Sequence, residues 1–273
     1  MTNEQLALKA VNVRRNILKM THAAKCGHPG GSMSAVEILL TIYGHEMNIT
    51  KENVTSNNRD KFVLSKGHAA PVVYGTLAEF GFIPEEELLT LRKLGSRLQG
   101  HPNMNTVEAV DMCTGSLGQG ISTAVGMALS NKCHKNENRV YTVLGDGECE
   151  EGQVWEAAMA AAHYQLDNLV AVVDFNGLQI DGDITKVMNP TPIDKKFEAF
   201  GWNVIDVKDG HDLDELQKAF EAARSCKGKP TMILAHTIKG KGVSFMENNA
   251  GWHGVAPNDD ELARALEELG GNN

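Results

Sequence analysis

Residues 140–182, VYTVLGDGECEEGQVWEAAMAAAHYQLDNLVAVVDFNGLQIDG, decide the fold of this chain. Residues 139–144 are a short β-branched and aromatic run that stops at Gly145-Asp146-Gly147, which indicates a strand ending in a turn. Residues 154–165 are Ala-rich and follow several glutamates, which is typical of a helix with an acidic first turn. Residues 169–175 are a second apolar run of the kind found in buried parallel strands. The segment therefore predicts one strand-helix-strand unit.

A polar residue follows each of the two strands, Asp146 after the first and Asn176 after the second. A right-handed crossover places the ends of both strands at the same sheet edge, so we expect the two residues to be neighbours although 30 positions separate them. That edge is where open α/β sheets bind ligands. A carboxylate, an amide oxygen and a backbone carbonyl suit a hard cation such as magnesium. Each turn alone is an ordinary turn, but together they favour a metal-diphosphate site.

The remaining pattern predicts helices alternating with strands. Helices are expected over residues 3–25, 34–43, 71–80, 84–94, 121–134, 212–224 and 259–269, and strands over 61–65, 203–207 and 231–237. A Gly-rich break is expected at 26–32, and polar loops at 48–59 and 238–249. The chain contains neither an internal repeat nor a long linker. These features predict one domain over 1–273, an α/β fold with a doubly wound, mostly parallel sheet and helices on both faces.

Composition excludes several classes of protein. The chain has 273 residues, 42% of them hydrophobic, and a net charge of −9 with both signs mixed, so no basic face for nucleic acid is expected. No apolar run reaches the length of a membrane span. The five cysteines have no metal-ligand spacing and follow no secretory signal, which favours a reducing, cytoplasmic setting. Cys149 is given no catalytic role, because its acidic neighbours oppose thiolate formation.

Six of the ten histidines are next to a glycine: His45, which is assigned to a helix or strand, and five in turns, namely His28, His68, His101, His211 and His253. Any one of them alone is an ordinary loop residue. Four, however, fall in turns expected to border one sheet edge, whereas His211 is assigned to a helix-entry turn. Imidazoles titrate near neutral pH and can both donate and accept hydrogen bonds. Such a set suits a substrate with many hydroxyl groups whose protons move during the reaction.

Taken together, these motifs resemble a known family. Gly145-Asp146-Gly147 followed by Asn176 is similar to the thiamine diphosphate motif, and more closely to that of transketolase. Five further turns resemble transketolase signatures in the same order: Gly27-His28-Pro29-Gly30, Leu64-Ser65-Lys66-Gly67-His68-Ala69, Gly100-His101-Pro102, Thr114-Gly115-Ser116-Leu117-Gly118-Gln119-Gly120 and His253-Gly254-Val255-Ala256-Pro257. The resemblance spans nearly the whole chain and implies the thiamine diphosphate-binding fold.

The resemblance also implies roles for individual residues. Magnesium or calcium would be held by Asp146, Asn176 and the backbone of Leu178. Thiamine diphosphate would contact His68, Gly115, Leu117, Gly147, Asn176 and His253. The catalytic set would be His28, His68, His101 and His253, with His101 at the terminal hydroxyl of the donor sugar and His28 and His253 assisting proton movement. Glu151 matches a glutamate at the subunit contact of the family.

The chain departs from the family in its length, because transketolases continue into a second and a third domain. The second domain carries the glutamate that activates the cofactor. The resemblance therefore implies the N-terminal subunit of a split transketolase of the pentose phosphate pathway. It would act on sugar phosphates in a heterotetramer with a separate C-terminal subunit. A truncated piece is the alternative, although Gly-Gly-Asn-Asn at 270–273 suits a natural tail.

Two other functions stay open at this point. The chain could be the diphosphate-binding part of another thiamine enzyme, either deoxyxylulose phosphate synthase or a 2-oxo-acid dehydrogenase. It could also be a non-catalytic protein that binds thiamine diphosphate. His28, His101 and His253 favour transketolase over both, because cofactor binding alone does not need the whole histidine set.

Overall fold

The computed structural model describes residues 1–270, so the last three residues of the expected tail lie outside the described part. The strands are β1 (Lys61–Leu64), β2 (Val140–Gly145), β3 (Leu169–Phe175), β4 (Leu178–Gln179), β5 (Gly182–Asp183), β6 (Asn203–Val207) and β7 (Thr231–His236). The helices are α1 (Asn3–Ala24), α2 (Pro29–Met33), α3 (Val36–Thr41), α4 (Ala70–Glu79), α5 (Gln119–Cys133), α6 (Gly152–His163), α7 (Ile184–Val187), α8 (Ile193–Ala199), α9 (Leu213–Ser225) and α10 (Asp259–Glu268).

Five of the strands form one parallel sheet in the order β1-β2-β3-β7-β6. The strands β4 and β5 form a separate antiparallel pair just beyond the carboxyl end of β3. The central strand β3 is buried along nearly its whole length, as expected of a parallel strand covered on both faces. The strand-helix-strand unit predicted over 140–182 is therefore confirmed.

Helices cover both faces of the sheet, as a doubly wound fold requires. Along β3, Val170 and Val172 point into one core and Leu169, Ala171 and Val173 into the other, which is the period-2 alternation of a strand. The first core is completed by α1, α3, α4 and α9, and the second by α5, α6 and α8. The predicted fold class, a doubly wound α/β sheet, is confirmed.

Most of the predicted elements are present with ends shifted by one or two residues. The helix predicted over 84–94 is wrong, because only a 3₁₀ segment, Glu85–Thr90, forms there. Leu88 and Leu91 are both buried, and their spacing of three suits a 3₁₀ turn. Arg92 then takes a left-handed φ of 59° and its N–H bonds the carbonyl of Leu98, so the chain turns back.

Two further details differ from the sequence pattern. The break expected at 26–32 contains one buried helical turn, α2, which Pro29 opens at the position where a missing N–H costs nothing. The helix expected over 34–43 is shorter, since α3 ends at Thr41 and gives way to a π-helical turn, Ile42–Glu46. Within the described part of the chain, every helix is too short or too polar to span a bilayer.

Candidate functional site

The carboxyl ends of β1, β2, β3 and β7 meet at one edge of the sheet, and the turns that follow them form the site. The turns after β2 and β3 are in direct contact, because Asp146 Oδ2 accepts a hydrogen bond of 2.6 Å from the N–H of Gly177. Asp146 Oδ1 accepts a second one, 2.8 Å long, from the N–H of Gly147. Asp146 therefore lies beside Asn176, as the crossover geometry predicts.

The predicted metal ligands lie close together. Asn176 Oδ1 accepts the N–H of Leu178 at 3.1 Å, which orders the turn after β3. The carbonyl of Leu178 accepts a hydrogen bond of 2.9 Å from Nζ of Lys239. Asp146, Asn176 and Leu178 all line one cavity, and a mixed set of carboxylate, amide and carbonyl oxygens suits magnesium or calcium. Residues 1–270 hold no cluster of three or more His, Cys, Asp or Glu with metal-binding geometry, so a cation here would depend on this mixed set.

Asp146 is in an environment that favours a bound cation. Its side chain is buried, and burial together with the nearby Asp174 carboxylate raises the pKa of Asp146 to about 6. The hydrogen bonds that Asp146 accepts from Gly147 and Gly177 favour its charged form, but they offset only part of this rise in pKa. A divalent cation would remove this electrostatic cost, so the chemistry of the donor set fits the metal implied by the sequence.

Three of the four predicted catalytic histidines form one cluster. The ring centroids of His28, His68 and His253 are separated by 5.1 Å (His28–His68), 5.4 Å (His28–His253) and 5.1 Å (His68–His253). Burial lowers the pKa of His28 to about 4 and that of His253 to about 3, and it holds the pKa of His68 well below the ordinary value. Neighbouring cations add to each shift. All three rings are therefore neutral at pH 7.

Two atoms of this cluster are buried without a partner. Nδ1 of His28 and Nδ1 of His253 have no hydrogen-bond partner among the described residues. An unpaired buried polar atom costs free energy, and native structures rarely leave one unsatisfied without a functional reason. The fold therefore leaves two imidazole nitrogens of the cluster both unpaired and closed to solvent.

The turn after β1 and the loop after β7 bring two lysines into the site. Lys66 Nζ donates 2.7 Å to the carbonyl of Gly31 and also contacts the buried Asp174 carboxylate. Lys239 is 2% exposed, and burial lowers its pKa to about 8. Sequence reasoning assigned no role to these lysines or to Asp174. A signal existed for Asp174, because one carboxylate inside an otherwise apolar strand requires a partner.

Glu148 is a further residue that sequence reasoning missed. It is buried, and its carboxylate accepts the hydroxyl of Ser65 at 2.5 Å and the N–H groups of Gly118 at 2.8 Å and Gly145 at 3.1 Å. Burial nevertheless raises its pKa above the ordinary value. The three donors belong to three separate turns, so this one carboxylate joins the glycine turn before α5 to the ends of β1 and β2.

A cavity of about 330 Å³ lies between these turns. Every residue predicted to bind the cofactor or the metal lines this cavity, and His28 lines it too. The full set is His28, His68, Gly115, Leu117, Asp146, Gly147, Asn176, Leu178 and His253. Glu151 and Ile180 are at its wall as well. His101 is not among the lining residues. It is exposed and lies against Gly115, where a Cβ would be 3.0 Å from the imidazole ring, and Gly115 has a left-handed φ of 141°.

A second cavity, of about 510 Å³, lies at the opposite edge, before β2 and β3. Two of its basic residues, Lys132 and Arg139, have structural partners among the described residues. Lys132 Nζ donates to the carbonyls of Tyr164 and Gln165, both at 2.8 Å, just beyond the end of α6. Cations at this position stabilise a helix C-terminus, so we assign this cavity no catalytic role.

The fold and the first cavity define an α/β domain with a polar cavity at the carboxyl edge of a parallel sheet, the edge at which such sheets bind ligands. The family model described as "Transketolase, thiamine diphosphate binding domain" matches residues 6–273. The chain belongs to the transketolase family and corresponds to its thiamine diphosphate-binding domain.

Two groups of relatives differ in length. The 6-deoxy-6-sulfo-D-fructose transketolase subunit SqwG of Clostridium sp. (strain MSTE9) is 44% identical over 98% of both chains. An apulose-4-phosphate transketolase subunit from Phocaeicola vulgatus is 38% identical over 97% of this chain and 94% of its own length. Human transketolase is 46% identical over 95% of this chain, but only 41% of its own length is matched.

Solved structures agree with this assignment. The transketolase of Campylobacter jejuni superposes with a TM-score of 0.91 and 32% identity over 100% of this chain and 44% of that chain. The transketolase of Leishmania mexicana gives a TM-score of 0.91 and 30% identity over 100% of this chain and 42% of that chain. The chain thus spans less than half the length of these transketolases.

Proposed function

We propose that this chain is the N-terminal subunit of a two-chain transketolase. It would bind magnesium and the diphosphate of thiamine diphosphate, and with a partner it would catalyse reversible two-carbon ketol transfer from a ketose phosphate to an aldose phosphate. The observation that carries the proposal is the convergence of a mixed oxygen set, two lysines and three neutral imidazoles around one cavity.

The charges around the cavity support binding of a metal-diphosphate. Asp146, Asn176 and the Leu178 carbonyl would hold the cation, and calcium would satisfy the same oxygen atoms. Lys66 and Lys239 place positive charge beside them, which complements phosphate oxygens. Gly147 has no side chain, so a phosphate could approach its backbone closely. Bound thiamine diphosphate supplies the carbon nucleophile and the electron sink for the reaction.

The histidines would handle the protons of the sugar. His28 and His253 are neutral at pH 7, so each ring has one N–H that can donate to a hydroxyl or carbonyl oxygen and one nitrogen that can accept a hydroxyl proton. His68 would contact the diphosphate from the same cluster. His101 lies outside the cavity wall, and we propose that it meets the far end of a sugar that extends beyond the cofactor.

Two observations support a separate partner protein. The relatives matched along almost their whole length are named as subunits. Leu117 and Ile180 are apolar, 36% and 67% exposed, and line the cavity mouth with the exposed Glu151. Exposed apolar residues at the rim of a cavity fit coverage by another chain. We propose that this chain is a single domain and that the partner contributes the pyrimidine-binding domain, in a heterotetramer of two copies of each chain.

The five cysteines are all free, which supports the proposed cytoplasmic setting. Several sugars are candidates for the donor of this chain. One relative is named for 6-deoxy-6-sulfo-D-fructose and another for apulose 4-phosphate, and a role in the pentose phosphate pathway adds xylulose 5-phosphate. All three belong in the donor panel.

The test is a ketol-transfer assay with ribose 5-phosphate as acceptor, magnesium and thiamine diphosphate. It is run on the full chain alone and on the chain together with the protein that co-purifies with it. Activity that requires the partner supports the proposal. Activity of the chain alone contradicts the two-chain interpretation. Transfer from pyruvate instead would identify another thiamine enzyme, and cofactor binding without any transfer would identify a non-catalytic protein.

A further inference from the structure

A buried polar network lies behind the loop that carries Lys239, outside the cavity. Arg14 in α1 donates from Nη1 and Nη2 to the two carboxylate oxygens of Glu37 in α3, both at 2.7 Å. Nδ1 of His211, in the turn after β6, lies 2.9 Å from Oε2 of the same carboxylate. The side chains of all three residues are 7–8% exposed. Burial alone would raise the pKa of Glu37, but Arg14 and His211 outweigh it and lower the pKa to about 2.

This network holds the loop on both sides of Lys239. The N–H of Ile238 donates to Nε2 of His211 at 2.9 Å. On the other side, Nε of Arg14 donates to the carbonyl of Lys241 at 2.8 Å. Between these two attachments, Lys239 extends inward and donates to the Leu178 carbonyl. The His211 imidazole therefore holds Ile238, directly before the lysine, and the Arg14 side chain holds Lys241, two residues after it.

The hydrogen bonds fix the tautomer of His211. A backbone N–H can only donate, so Nε2 must be the unprotonated nitrogen and Nδ1 carries the proton. Nδ1–H then donates to Glu37. Glu37 orients the ring, and the ring orients the backbone of Ile238. This chain of contacts passes from the core of one helical layer to the wall of the cavity.

The loop has little room to move. Gly240 donates its N–H to the carbonyl of Gly30 at 3.0 Å, which joins the loop to α2 beside His28. Gly242 has a left-handed φ of 97°, and a Cβ there would lie 3.0 Å from Cδ of Arg14. The side chain of Arg14 therefore packs against the loop as well as bonding to it. Loss of the bond from His211 or from Arg14 would loosen the residues next to that bond, while Gly240 stays bound to Gly30.

We propose that Arg14, Glu37 and His211 are positioning residues that set the position of Lys239 in the cofactor cavity. The proposal rests on the proposed function only in assigning Lys239 to a diphosphate. The helix-entry turn predicted at His211 is present, because Asp212 beside it is the N-cap of α9. The proposal gives His211 a second role in addition to that turn.

Two substitutions of His211 separate its two hydrogen bonds. The amide of His211→Asn reaches the position of Nδ1, so it retains the donor to Glu37 but offers no acceptor to Ile238. The carbonyl of His211→Gln reaches the position of Nε2, so it retains the acceptor for Ile238. His236→Asn is the matched control, because His236 is half-exposed and bonds Asp206 rather than the loop.

The readouts are hydrogen exchange of the Ile238 and Lys239 amides in the full chain and calorimetric binding of magnesium pyrophosphate. We expect His211→Asn to exchange at least about tenfold faster at Ile238 and to bind about tenfold more weakly, which is about 1.4 kcal/mol. His211→Gln should give a smaller change in both values, about threefold, because it keeps the acceptor for Ile238 but lacks the donor to Glu37, and His236→Asn should leave both unchanged. A purely structural role of His211 would not distinguish the Asn variant from the Gln variant.

The outcomes separate this inference from the proposed function. If the unaltered chain does not bind magnesium pyrophosphate, the proposed function loses its support, while the exchange rates still decide the positioning role. Equal exchange at Ile238 in the Asn and Gln variants overturns the inference. If His211→Asn does not fold, Arg14→Lys replaces it, because lysine keeps a charge for Glu37 but has no Nε–H for Lys241. Unchanged exchange over residues 238–242 in that variant overturns the inference too.

Discussion

The carboxylate of Asp146 accepts the backbone N–H of Gly177 at 2.6 Å, across 31 positions of sequence. This bond joins the turn after β2 to the turn after β3. The Leu178 carbonyl follows directly, and Lys239 donates to it from the loop after β7. Three strand ends are thereby held in fixed relation before any ligand binds, which lowers the ordering cost of binding.

Asp146→Asn tests the metal site. The amide keeps one acceptor oxygen, but its NH₂ group faces one of the two backbone N–H groups that the carboxylate accepts. The negative charge of the carboxylate is also lost. We expect magnesium-dependent binding of thiamine diphosphate to fall about 100-fold or more, measured by calorimetry. The control is Asp167→Asn, whose carboxylate accepts the N–H of Gly228 near the opposite sheet edge. Equal loss of binding in both variants would show that Asp146 has no special role.

Lys239→Met tests the buried cation. Methionine fills much of the same space but cannot donate to Leu178 or attract a phosphate. We expect binding of magnesium pyrophosphate to weaken about 10- to 100-fold, whereas the ligand-free chain is as stable or more stable, since burying an ammonium is costly. The control is Lys241→Met, which removes a partly exposed side chain 3.7 Å from Glu247. Weaker binding combined with lower stability in Lys239→Met would contradict this account.

The sequence could predict the parts of the fold that depend on local pattern. The apolar run at 169–175 matches β3 in full, and the crossover rule placed Asp146 beside Asn176. It could not predict the 3₁₀ segment at Glu85–Thr90, because its glutamates and leucines suit either helix type, and the choice depends on the turn at Arg92.

The polar partners within the site were harder to predict than the turns. Lys239 lies in a polar loop, and nothing in its local sequence shows that its side chain reaches the turn after β3. Glu148 is one of several adjacent glutamates, and only the packing of Ser65 and Gly118 around it distinguishes it. The sequence placed His101 with the other histidines, but the cavity wall does not include it.

Glu148→Gln tests the carboxylate that joins three turns. A glutamine has one acceptor oxygen for three donors, so at least one of the N–H groups of Gly118 and Gly145 loses its partner. We expect the free energy of unfolding to fall by about 1–3 kcal/mol, measured by urea denaturation. Glu150→Gln is the control, because its little-buried carboxylate accepts only the side chain of Gln179, and a change below about 0.5 kcal/mol is expected. Similar losses in the two variants would argue against a joining role.

The histidine cluster predicts how stability depends on pH. The pKa values of His28 and His253 are about 4 and about 3 in the folded chain, below the ordinary value of 6.5. As the pH falls below 6.5, the unfolded chain takes up protons that the folded chain does not, so stability is lost progressively down to about pH 4. The raised pKa of Asp146 acts in the opposite direction below pH 6, so the difference between variants is the informative quantity.

The test is to compare urea denaturation of the ligand-free chain with that of the His28→Gln variant at pH 7, 6 and 5. The variant removes one group whose protonation is suppressed by folding, so its stability should fall less steeply between pH 6.5 and pH 5. His163→Gln, at an exposed position near the end of α6, should retain the steeper dependence of the unaltered chain. In proton spectra, the ring signals of His28 and His253 should stay constant from pH 8 to pH 5.5. Titration of either ring near pH 6.5, or identical pH dependence in all three proteins, would show that burial does not keep these imidazoles neutral, and their proposed role as neutral proton carriers would then fail.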